Sequence, residues 1–151
     1  MNYRDAYYGV YRDMECILLD TLKGWKLITS NDKAREYGFT KSGTKYSKII
    51  EIEDKDLITA FTVRTKAKYN GFHFTLFQNE NLKEENKVRL YLENLDFEAY
   101  DHFGFPYRND DASIEVNEEE LEEIWEERKP LSQFPFKAEK IKFIKKEGEF
   151  L

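Results

Sequence analysis

The apolar positions change period along the chain. Between residues 3 and 23, Tyr3, Tyr7, Val10, Met14, Ile17 and Leu18 recur every three or four residues, which predicts a helix with one buried face. Gly24 suits the position just past its end. Residues 25–29 form a short apolar stretch, after which Ser30, Asn31 and Asp32 can cap a brief helix through Tyr37 that stops at Gly38. Residues 40–45, with Ser42 and Gly43, read as a loop.

From Tyr46 the period becomes two. Ile50 and Ile52 alternate with charged neighbours. Leu57, Thr59, Phe61 and Val63 then line one face of a second run, and Phe72, Phe74 and Leu76 one face of a third. Asn70-Gly71 suits a tight turn because both residues tolerate positive φ, so the second and third runs are expected to form a hairpin. Val88, Leu90 and Leu92 alternate like a strand, while Val88, Leu92, Leu95 and Ala99 also fit a helix; a strand followed by a short helix ending near Gly104 and Pro106 reconciles them. Residues 112–116 read as another strand. Asn117 with Glu120 three residues later forms a capping pair that predicts an acidic helix closed by Pro130, with Leu121, Ile124, Trp125 and Arg128 on its inner face. Residues 137–146 suggest a last strand with Ile141 and Phe143 on one side and Lys140 and Lys142 on the other. The expected architecture is a single α+β domain over residues 1–151: a mainly antiparallel sheet of about five strands packed on an N-terminal helix and an acidic C-terminal helix.

Length and composition fit that expectation. A chain of 151 residues can bury a core without metal or disulfide support, and with 16% aromatic residues that core can be built largely from Phe and Tyr. No apolar run approaches the roughly 18 residues of a membrane span, and no basic-then-apolar leader opens the chain. The lone Cys16 has no partner for an internal disulfide and reads as a buried structural thiol, which fits a reducing, cytoplasmic compartment. Lys outnumbers Arg by 17 to 7, a bias that AT-rich coding produces and that hints at a low-GC bacterium or its phage.

Charge changes the picture most. Between Asp110 and Pro130 lie ten acids and only two bases, Arg128 and Lys129, a net of −8; the whole chain carries −6, so the remainder is +2. Seven Glu within ten residues of one helix repel each other. A surface that docks on a basic partner would give that arrangement a purpose; the plainer alternative is a solvated face that keeps the protein soluble. On the docking reading Glu119, Glu122, Glu123, Glu126 and Glu127 form the outer face, and the partner is a basic protein such as a toxin or a nucleic-acid-binding enzyme. The C-terminal Lys137, Lys140, Lys142, Lys145 and Lys146 are expected to neutralise the acidic helix or face solvent, and nucleic acid is not the expected ligand.

A second feature is Gly71-Phe-His-Phe-Thr-Leu76. His73 and Thr75, two apart on a predicted strand, share one face. The segment resembles one half of the paired motif of the two-histidine phosphoesterases, and that resemblance implies proton handling by His73 aided by Thr75. The other histidine, His102, is followed by Phe103 and Gly104, without the hydroxyl a second motif has. A strand histidine held by one hydrogen bond is the structural alternative. Glu51, Glu53 and Lys55 resemble the acidic and lysine pair of restriction-type nucleases. In a chain with 36% charged residues, alternation giving a polar outer face accounts for them as well, and Asp96, Glu98 and Asp101 read as the exposed side of a short helix. No metal or cofactor is therefore expected.

The function expected from sequence is a small acidic protein-binding module that inhibits or neutralises a partner; bacterial immunity proteins and phage inhibitors offer an analogy of size and charge. An enzyme acting on phosphodiesters or nucleotides through His73, Thr75 and His102 is the rival. A non-catalytic subunit of a larger assembly, marked by a broad exposed apolar sheet face, is the third possibility.

Overall fold

The computed structural model describes residues 3–94, 96–106 and 112–151; Leu95, Asp110 and Asp111 of the patterns above lie outside the described residues. Among the described residues twelve strands form, with two short α-helices and two 3₁₀ turns. The architecture is mostly antiparallel sheet, not about five strands packed against two helices. The strands divide between two compact units, each with its own core.

The first unit comprises Asp5–Val63 and Arg128–Lys140. It contains β1 (Asp5–Tyr11), β2 (Met14–Thr21), β3 (Gly24–Thr29), β4 (Thr40–Ser42), β5 (Lys45–Ile50) and the first part of β6 (Leu57–Tyr69), in the order β6-β1-β2-β3-β5-β4. The predicted N-terminal helix is a hairpin, with Tyr11 paired to Met14 and Tyr8 to Ile17. Its buried residues Gly9, Tyr11, Met14, Cys16 and Leu18 follow a period of two within each strand, interrupted by a two-residue turn at Arg12 and Asp13. That interruption makes two short alternations imitate a helical stripe. The β-branched and aromatic content favours strands, and Ile17 is 40% exposed, on the face away from the core. The turn lacks Gly or Asn; Arg12 takes φ 56° and its N–H donates to the Asp56 carbonyl at 2.7 Å. Residues 40–45 also differ from expectation, since β4 pairs with β5 through Ser42–Lys45. The brief helix is present as a 3₁₀ turn, Asp32–Tyr37, capped by Asn31 and ended by Gly38 at φ 83°.

The second unit comprises Arg64–Glu127 and Ile141–Leu151 with the start of the chain through Arg4. The rest of β6 continues into β7 (Phe72–Phe77), α1 (Glu80–Glu84), β8 (Lys87–Leu92), α2 (Phe97–Phe103), β9 (Ser113–Asn117), β10 (Glu123–Pro130), β11 (Ile141–Lys146) and β12 (Glu149–Phe150). The strand order is β12-β11-β10-β6-β7-β8-β9. The expected Asn70-Gly71 hairpin forms, with φ 51° and 82° and Tyr69 opposite Phe72. Phe74, Leu76, Val88, Leu90 and Val116 fill the inner face, and α2, ended by Gly104 at φ 70°, adds Tyr100 to the same core. Asp96 serves α2 as its N-cap, accepting from the N–H groups of Glu98 at 3.1 Å and Ala99 at 3.3 Å.

The acidic helix is the second correction. Its capping pair is real, with the Asn117 N–H donating to Glu120 at 3.2 Å, but it opens only a 3₁₀ turn, Glu118–Glu120, before the chain extends into β10. A helix would stack like charges at i, i+3 and i+4. A strand instead distributes them and brings opposite charge alongside: Glu126 stands opposite Lys142. The basic C-terminal run is thus the ladder partner of the acidic one.

Candidate functional site

The acidic run makes a corner in the second unit rather than a helical face. Leu121 is almost fully buried and anchors it to the core. Backbone bonds fix the flanks: Glu118 N–H to the Asn86 carbonyl (2.9 Å), Glu122 N–H to the Lys68 carbonyl (2.9 Å) and Gly148 N–H to the Glu122 carbonyl (3.0 Å). Beneath the turn, the buried Lys145 ammonium donates to the carbonyls of Glu119 (3.2 Å) and Glu118 (3.4 Å) and stands 5.0 Å from the Phe150 ring centre. Tyr3 donates its hydroxyl to Glu118. Burial first, and then the Glu118 carboxylate, push that hydroxyl's pKa upward, so it stays protonated.

Above this scaffold opens a concavity of about 500 Å³ lined by Glu119, Glu120, Glu122, Glu123 and Glu147, with Lys68 as its one cation. Glu122 is partly engaged, accepting from the Gly71 N–H at 3.1 Å and lying 3.9 Å from Lys68. Five carboxylates against one ammonium on a concave wall focus negative potential outward. Among the described residues no group of three His, Cys, Asp or Glu side chains converges to hold a metal ion.

Of the five expected partner-binding residues, Glu119, Glu122 and Glu123 line this concavity and two do not. Glu126 is buried, in a two-pronged ion pair with Arg4 at 2.8 and 2.9 Å. Glu127 accepts from Trp125 Nε1 at 3.3 Å. Reading the run as a helix put every acid at i+3 or i+4 on one outer face, whereas the strand turns Glu126 inward. Glu120 and Glu147 complete the concavity and were missed. Glu147-Gly148, where both residues have positive φ between β11 and β12, was the available signal.

His73 and Thr75 do share the outer face of β7, with Phe72 and Phe74 on the inner side. His73 packs edge-on against Trp125 at 5.3 Å. Thr75 donates to Glu93 and accepts from Lys66 at 3.3 Å, and Lys66 forms an ion pair with Glu93, partners the sequence pattern did not reveal. His102 instead packs on Phe72 and Phe103, at 5.4 and 4.7 Å, on the side away from His73. The two histidines therefore do not converge. A shallow cleft of about 340 Å³ beside His73 includes Phe72, Glu93 and Asp96 but not His102. Glu51, Glu53 and Lys55 lie in the turns between β5 and β6, not on a strand.

In the first unit the outer sheet face exposes Ile17, Leu19 and Ile49; Ile17 is paired with Ile28, and Lys26 stands between Leu19 and Ile49. No helix among the described residues is long and apolar enough to cross a membrane.

Comparison with known proteins places the sequence in a family. Residues 3–133 match the family described as uncharacterised conserved protein UCP033725, and the chain belongs to that family. No curated protein and no solved structure matches it.

Proposed function

We propose that this family member is a small protein-binding module of the cytoplasm that inhibits or neutralises a basic protein by docking it on the acidic concavity of the second unit. The observation that carries the reading is the wall of five Glu around one Lys, held on a backbone pinned to β6, β11 and the core. Carboxylates carried on a backbone already in place need no main-chain ordering to meet Lys or Arg side chains, and they speed encounter with a basic surface. The target belongs to the kind met by bacterial immunity proteins and phage inhibitors, a toxin or a nucleic-acid-binding enzyme whose cationic site the concavity can occupy. The test is the association rate with the partner recovered from host lysate. Reversing Glu119 and Glu123 to Lys slows association and weakens its salt dependence; an unchanged rate would contradict the assignment.

A second reading, a non-catalytic subunit of a larger assembly, has one observation in its favour, the apolar face around Ile17, Leu19 and Ile49. Sedimentation of the purified chain separates the two. A monomer that binds its partner through the concavity favours the inhibitor, and a stable oligomer dissolved by Ile17→Lys favours the subunit.

A further inference from the structure

Another part of the second unit has a different chemistry. At the far end of its sheet, β7, β8 and β9 present a cavity of about 420 Å³ whose floor includes Phe77, Arg89 and Tyr91, with Asn79, Asn81 and Glu85 contributed by α1 and its flanks. Phe74, Leu76, Val88 and Leu90 point into the core, so strand alternation sends Phe77, Arg89 and Tyr91 outward together. Phe77 stands directly opposite Arg89, and Tyr91 lies two residues further along the same strand. The three form one continuous surface.

Two features set that surface apart from a merely solvated sheet. Phe77 is 45% exposed and Tyr91 41%, and among the described residues neither ring packs on another aromatic ring. Elsewhere in this unit the aromatic residues cluster, as in Phe72 against Phe103 and Trp125 against Phe143. Arg89, the ladder neighbour of Phe77, is also ion-paired to Glu115, its ladder partner on β9. The platform therefore exposes two rings beside an arginine whose charge is already paired.

The charge and hydrogen-bonding character of the rim narrow the ligand. Arg89 is balanced by Glu115 and Glu85 by Lys87 at 3.7 Å, so among the described residues the rim leaves no unpaired cation to hold a phosphate or carboxylate ligand. Asn79 uses Oδ1 to cap α1, accepting from the Leu82 N–H at 2.8 Å, which leaves its amide nitrogen as a donor. Asn81 offers both a donor and an acceptor, and the Tyr91 hydroxyl can serve as either. A neutral ring that carries hydroxyls, and has one face of C–H groups, answers each of these features. Its C–H face lies on Phe77 and Tyr91 while its hydroxyls both give and accept hydrogen bonds at the rim. We propose that the β7–β8–β9 surface is a binding site for a neutral oligosaccharide, separate from the acidic concavity.

The test is calorimetric titration of the intact protein with neutral hexasaccharides of glucose, mannose, galactose and N-acetylglucosamine in α- and β-linked forms, with a short single-stranded oligothymidylate alongside. At least one saccharide binds, and Phe77→Ala or Tyr91→Ala weakens it by about tenfold or more, the loss expected when a stacking ring is removed. Reversal of Glu119 and Glu123 leaves that affinity unchanged, which separates this site from the proposed docking surface. Chemical-shift mapping on the unaltered protein locates the saccharide at Phe77 and Tyr91 even where an alanine variant folds poorly. Failure of every saccharide to bind overturns the proposal. So does binding mapped away from these rings, or binding of oligothymidylate in place of saccharide.

Discussion

Arg4 grips Glu126 with two nitrogens, Nε to Oε2 at 2.8 Å and a terminal nitrogen to Oε1 at 2.9 Å, joining the start of the chain to the middle of the acidic segment. The Glu126 side chain is only 8% exposed, so the pair lies largely out of reach of solvent. This relationship divides the acidic run in two. Glu126 maintains the fold, and Glu120 caps the 3₁₀ turn, whereas Glu119 and Glu123 are available for a partner.

The first prediction concerns that division. Glu126→Ala removes the two-pronged carboxylate from the Arg4 guanidinium and lowers unfolding free energy by about 3 kcal/mol. Glu119→Lys and Glu123→Lys, made singly, change it by no more than about 0.5 kcal/mol, since neither side chain is fully buried. Urea titrations of the three variants check both statements. Equal midpoints for Glu126→Ala and wild type would show the pair to be incidental.

Lys145 is the second case. Its buried ammonium satisfies two carbonyls of the 3₁₀ turn, so Lys145→Met leaves both acceptors without that donor. The expected loss is about 1–3 kcal/mol. Amide hydrogen exchange at Leu121, whose N–H donates to the Glu118 carbonyl at 3.3 Å, rises more in this variant than exchange in β10.

The third prediction is a pH dependence in the first unit. The Tyr37 hydroxyl at 2.9 Å, and then Lys33 at 3.1 Å, hold the Asp13 carboxyl below its ordinary pKa. A lowered folded-state pKa contributes stability that is complete above the unfolded value and lost as pH falls through the folded value. Between about pH 5 and pH 2, wild type therefore loses stability more steeply than Asp13→Asn. Parallel curves from urea midpoints across that range would exclude the contribution.

Cys16 gives the fourth. Burial pushes its thiol up to about 11, partly offset by a hydrogen bond involving Thr29, so the nucleophilic thiolate is scarce at neutral pH. Reaction with a disulfide reagent is expected to be slow in the native protein and to become fast in denaturant. Rapid labelling of native protein would contradict the burial of β2 against the core.

The sequence was most legible where one residue type forces a backbone conformation. Asn70-Gly71 gave the β6–β7 hairpin, Asn31 and Gly38 bounded the first 3₁₀ turn, and Gly104 ended α2. The N-terminal hairpin was hidden because Arg12, not glycine, occupies its positive-φ position, so the two strands read as one helical stripe. The acidic helix failed for a different reason. Its capping pair is local and correct, but the conformation of the chain beyond Glu120 is decided by Lys145, Lys142 and Arg4, which approach from distant parts of the chain. The concavity inherits that limit: Glu119, Glu122 and Glu123 were visible as acids, while Glu147 joins them only through the β11–β12 turn.

The most direct test of the docking proposal is retention from host lysate on immobilised protein, at low and at high salt, comparing wild type with the variant carrying Lys at 119 and 123. The account predicts a stoichiometric basic protein held by wild type, released by salt and absent from the variant. Equal retention by both proteins, or none by wild type at either salt, would contradict it.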